Sequence, residues 1–149
     1  MILDQKQYTA CAAVAMLGAL KCMRPEIDHV SLLAEVLKAK EAHLTYQRAA
    51  AWFQKKWLIK WIKPVKYSPF LLKKQPLLTW LVNVDWNTTK QSPYQLAFKD
   101  RNTIGSHFVY IDSPGRVVNS WWESWWDNGC FYFKQNQIRN MKQMFVIIL

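Results

Sequence analysis

Hydrophobic and polar positions divide the chain into an early part with helical spacing and a later part with short strand-like runs. From Ala10 to Met23 nearly every residue is apolar, mostly Ala, Leu and Met. Such strong helix formers on all sides predict a helix enclosed by the rest of the fold, closed by Pro25. From Ile27 to about Lys56 the apolar positions return at helical intervals, first Leu33, Val36 and Leu37, then Tyr46, Ala50 and Phe53. Two or three helices fit there, with Asp28 or Ser31 as a cap. After Trp57 the pattern shortens to Ile59, Trp61 and an alternation ending at Pro64, a first strand. Ser68-Pro69 can open a short helix through Lys74, and Leu77 to Val84 reads as a central strand. Asp85 to Thr103 reads as a long polar connection with a strand near Leu96 to Lys99. Further strands are expected at Ser106 to Ile111, Arg116 to Trp121, Cys130 to Lys134 and Met144 to Leu149. Helices first and antiparallel strands later predict an α+β fold in one domain, residues 1–149, helical to about residue 56 and mainly strand from 57.

Composition narrows the class. Half of the 149 residues are hydrophobic, nine are Trp and four are Gly, which excludes a disordered or low-complexity chain. Three Cys without any paired CxxC spacing argue against a disulfide framework and against a zinc site. No metal and no cofactor are expected, and a reducing compartment fits. Met1 to Lys6 lacks a basic-then-apolar export pattern, and the longest apolar run, Ala10 to Leu20, is too short to span a bilayer. The expectation is a chain with no signal peptide and no membrane span, cytoplasmic or virion-associated.

The candidate chemistry lies in four places. Gln5 precedes Cys11 by six positions, and Cys11 opens the most apolar helix. Gly105-Ser106-His107-Phe108-Val109 sets a single His at the start of an apolar run, and Asn119-Ser120-Trp121 follows twelve residues after it, with Trp125 and Asn128-Gly129 beyond. Gln, Cys, His and Asn in this order resemble the papain-like cysteine peptidase superfamily, over roughly residues 1 to 23 and 68 to 134. The His-Phe-Val strand is also similar to that of the double-glycine leader peptidases. The resemblance implies a minimal papain-like fold, with N-terminal helices and a buried nucleophile helix packed on a C-terminal antiparallel sheet, that hydrolyses peptide or isopeptide bonds. It implies Cys11 as nucleophile, His107 as base and acid, Asn119 as the group that orients the imidazole, and Gln5 as oxyanion donor. Trp121 would shield the Asn-His hydrogen bond and, with Trp122, border the substrate. Where the family commonly has Gly, this chain has Trp122 and Trp126, two indoles that crowd or roof a cleft.

Physical reasoning constrains these assignments. A helix N-terminus offers partial positive charge and unpaired N–H groups, so Cys11 is expected to have a depressed pKa. Cys22 falls at the helix end without a matching Gln, and Cys130 lies where a core role is expected. His29 and His43 lie in charged helical stretches and are expected to be exposed. Strand alternation sets a further condition: a plain two-residue loop at Pro114-Gly115 leaves Asn119 on the wrong face, whereas one extra residue, from a longer loop or a β-bulge, pairs Val109 with Asn119 and brings it diagonal to His107. Asp112, the rival orienter, is five residues from His107 and so on the opposite face of an unbroken strand.

Between Ala42 and Val84 there are eight Lys or Arg and no Asp or Glu, interleaved with Trp52, Phe53, Trp57, Trp61 and Tyr67. With a net charge of +10 this stretch suits an anionic partner, nucleic acid or an acidic protein, contacted by Lys55, Lys56, Lys60 and Lys63. The bland reading of the same stretch is a solvated basic face around core aromatics. A second functional class therefore stands beside the peptidase with its protein substrate: a catalytically inactive papain-fold component of a larger assembly such as a viral particle.

Overall fold

A computed structural model describes residues 8–65, 80–84, 107–113, 116–119, 131–134 and 141–149. The class is α+β, with helices preceding an antiparallel sheet. A 3-10 turn, Tyr8–Ala10, leads into α1, Cys11–Met23, in which every residue from Ala12 to Leu20 is buried. Burial on all sides matches its composition, and enclosing Val14, Met16, Leu17 and Leu20 contributes about 1.5 to 3 kcal/mol each. Helix α2, His29–Lys38, starts at Asp28, whose carboxylate accepts the Ser31 N–H (3.2 Å) and hydroxyl (2.7 Å). A 3-10 turn, Lys40–Ala42, precedes α3, Tyr46–Lys55, capped by Thr45, which accepts the Arg48 N–H at 3.1 Å.

Among the described residues six strands follow: β1 Trp61–Val65, β2 Trp80–Val84, β3 His107–Ser113, β4 Arg116–Asn119, β5 Phe131–Lys134 and β6 Met141–Ile148. They form one sheet in the order β1-β6-β2-β3-β4-β5, each neighbouring pair antiparallel. The face carrying Ile62, Phe108, Tyr110, Val118, Phe145 and Ile147 joins the buried core of the helices. Tyr46 at the head of α3 packs its ring 4.4 Å from Phe145 and 6.3 Å from Phe108, tying that helix to the middle of the sheet. Val109, on the opposite face of β3, is buried as well, so this strand is covered on both sides.

Gly18 meets β3 directly. A Cβ at that position would overlap the ring of the buried Tyr110, so the helix approaches the strand as closely as glycine allows. Among the described residues two non-glycines have left-handed backbones, Leu44 (φ 82°) and Trp57 (φ 59°), a conformation that costs about 1 to 2 kcal/mol. Trp57 sits where α3 ends. Its N–H donates to the Gln54 carbonyl at 3.0 Å and that of Leu58 to the Phe53 carbonyl at 3.1 Å, the paired bonds of a Schellman ending in which glycine is the usual occupant.

The short helix expected from Ser68 and the strand near Leu96 to Lys99 lie outside the described residues. Among the described residues no helix is long and apolar enough to cross a membrane.

Candidate active site

Cys11 is the first residue of α1, and the residue before it, Ala10, has no capping side chain. The leading amides are therefore available to the thiol: N–H groups of Phe108, Ala12 and Cys11 itself stabilise its thiolate form. Burial is the larger influence, although the residue keeps some exposed surface, and it pushes the Cys11 thiol above its ordinary value. This corrects the expectation of a depressed pKa. The helix head acts in the expected direction, but the core packed around it disfavours the charge more strongly.

The Phe108 amide that meets the thiol belongs to β3 and directly follows His107, the first residue of that strand. The backbone of His107 is set opposite Val84 in β2. Asn119 is the last residue of β4, paired with Phe131 in β5. The β3–β4 hairpin contains the extra residue that alternation demands. Ser113 opposes Arg116, yet Ile111 opposes Val117 and Tyr110 opposes Val118, with the register shifting between Ile111 and Ser113. Continuing that register by one residue sets Val109 opposite Asn119. By alternation positions 107 and 119 share the face of Val109, opposite to that of Phe108 and Tyr110, which join the core of the helices.

The same bulge changes the argument about Asp112. It is the extra residue, so simple alternation no longer assigns it a face. Distance separates it from His107 instead: five strand residues span about 17 Å. Gln5, Trp121 and Trp122 lie outside the described residues, as do Cys130 and Trp126. Cys22 is half-buried against the core near the end of α1.

Both histidines expected to be exposed are buried, which corrects that reading. His29 is enclosed at the start of α2, and its Nε2 has no hydrogen-bond partner among the described residues. His43, only 2% exposed, supports the candidate site in a way the sequence did not announce. Its Nε2–H donates to the Val36 carbonyl at 2.9 Å, which leaves Nδ1 to accept the Thr9 hydroxyl at 3.0 Å. One residue on, the Leu44 N–H donates to the Thr9 carbonyl at 2.8 Å. Thr9 is two residues before Cys11, so these bonds latch the head of the thiol helix to the connection between α2 and α3. A polar residue in a charged stretch gave no periodic signal of this role.

Among the described residues no group of His, Cys, Asp and Glu is arranged to hold a metal ion. No family model, characterised protein or solved structure matches the chain.

Proposed function

We propose that the chain is a papain-like cysteine peptidase that hydrolyses peptide or isopeptide bonds. The observation that carries this reading is the contact of the Cys11 thiol with the Phe108 amide, one residue along β3 from His107.

In the proposed reaction the His107 imidazole removes the proton from Sγ of Cys11, and the thiolate forms a bond to the scissile carbonyl carbon. The resulting oxyanion accepts hydrogen bonds from the Cys11 N–H and the Gln5 side-chain amide. The imidazolium then gives its proton to the leaving amine as the C–N bond breaks. Water, deprotonated by His107, cleaves the thioester, releasing the acid product and returning the thiol. Asn119 holds the plane of the imidazole, and Trp121 and Trp122 border the substrate. The raised thiol pKa fits a site that ionises its sulfur through the imidazole rather than through the helix head alone.

The test is labelling by a peptidyl epoxysuccinyl electrophile near pH 6 to 7. Wild-type protein should be modified at Cys11 ahead of Cys22 and Cys130. The His107→Ala variant should react there only above the ordinary thiol range of about 8.5. Peptide hydrolysis should be abolished by Cys11→Ala and by His107→Ala, and reduced but measurable in Asn119→Ala. Absence of any labelling at Cys11, in folded protein, would overturn the peptidase reading in favour of the inactive scaffold.

A further inference from the structure

The junction between α3 and β1 is built to show aromatic rings to solvent. Trp57 is 90% exposed although its left-handed backbone is one that glycine would adopt more easily, and Trp61, at the start of β1 at one edge of the sheet, is 41% exposed. They are four positions apart, so their backbones are no more than about 14 Å from each other. The turn between is fixed at three points: the bonds that close α3, the Gln54 side-chain amide donating to the Lys60 carbonyl at 2.9 Å, and the Lys60 N–H donating to the Ile148 carbonyl at 2.7 Å. The rings thus stand on a braced backbone.

Cations surround them. Lys55, Lys60 and Lys63 are exposed, and Lys63 shares with Trp61 the face of β1 that alternation turns away from buried Ile62. Lys56 does not belong to this group: its ammonium pairs with Glu35 at 2.9 Å and lies 4.8 Å from the Trp52 ring. The aliphatic residues of the junction turn inward, Leu58 half-buried and Ile59 and Ile62 buried. Two partly exposed aliphatic residues adjoin the patch, Ile148 opposite Trp61 and Leu149 after it, and the exposed cations outnumber them. Indoles interleaved with ammonium groups suit a partner that alternates flat π-faces with negative charge, as single-stranded nucleic acid does.

We propose that Trp57 and Trp61, flanked by Lys55, Lys60 and Lys63, form a binding surface for single-stranded nucleic acid, with bases stacked on the indoles and phosphates against the ammonium groups. It is separate from the thiol site and stands whether or not that site is catalytic. The experiment uses the full chain with a fluorescein-labelled fifteen-nucleotide oligothymidine and its oligouridine counterpart, read by anisotropy across a salt series. Duplex DNA of equal length, polyglutamate and phosphatidylserine vesicles serve as competitors. Trp57→Gly is the informative variant because it relieves the left-handed backbone, so the thermal midpoint should hold or rise while Kd for the oligonucleotide rises by roughly tenfold. Trp61→Ala should weaken binding in the same direction. Joint reversal of Lys55, Lys60 and Lys63 to Glu should weaken binding and flatten its dependence on salt. The proposal is overturned if no oligonucleotide binds, if Trp57→Gly leaves Kd unchanged, or if duplex, polyglutamate or vesicles compete better than unlabelled single strand.

Discussion

Leu44 and Trp57 share a left-handed backbone and project side chains that are largely exposed, but the hydrogen bonds around them reach in different directions. The Leu44 N–H spans thirty-five residues to the Thr9 carbonyl and, beside the His43 bridge, fixes the head of α1. The Trp57 N–H reaches back only to Gln54 in its own helix. In the first region a costly conformation joins distant segments and serves a buried site. In the second it closes a local turn and serves the surface. Strain of one kind thus supports two different roles, and the difference lies in what the neighbouring amides touch, since neither side chain is needed to fill the core.

Removing the His43 bridge is the strongest way to break this contrast. His43→Ala strands the Val36 carbonyl and the Thr9 hydroxyl, and the loss should be about 1 to 3 kcal/mol in urea unfolding. Turnover should fall with it while affinity for oligonucleotide stays put; unchanged stability would show that the latch is not a structural tie. A smaller effect is expected from glycine at the two left-handed positions. Leu44→Gly and Trp57→Gly should each stabilise the fold by roughly 0.5 to 1 kcal/mol, relief of the backbone outweighing the extra freedom of glycine in the unfolded chain. Thermal unfolding that instead shows a loss at either position would reveal packing by that side chain.

The mildest contrast is between helix heads. Ser31, through its hydroxyl and its N–H, holds the Asp28 carboxyl below its ordinary value, whereas burial holds the Cys11 thiol above its own. With the folded value lower than the unfolded one, Asp28 contributes stability above about pH 4 that is lost as pH falls through the folded value. Ser31→Ala should raise the Asp28 value in a carbon-detected NMR titration and reduce that acid dependence; an identical titration curve would remove the assigned cause.

The secondary structure was legible because periodicity reports burial directly. The run from Ala10 is apolar on every side and is a fully buried helix, while alternation at Ile59 to Pro64 and Arg116 to Trp121 marks β1 and β4. The extra residue in the β3–β4 hairpin was legible too, since counting along the two strands pointed to a longer loop or a bulge, and a bulge stands at Asp112. The thiol pKa was not. The sequence shows where a helix starts but not how closely the core packs on its head, and that burial decides the sign. His43 escaped for a related reason, because its burial depends on Thr9 and Val36, neither of which marks it from a distance.

Gly18 lies seven residues after Cys11, close to two helical turns, so both occupy one side of α1, about 10 Å apart along its axis. One meets the Tyr110 ring and the other the Phe108 amide, two residues apart on β3. The ring works as an indexing stop. Sliding α1 by one residue would bring Leu17 or Ala19 to the place where no Cβ fits, so the helix has a single seating on the strand. The position of the sulfur at one end of α1 is thus gauged by an atom that is missing two turns away.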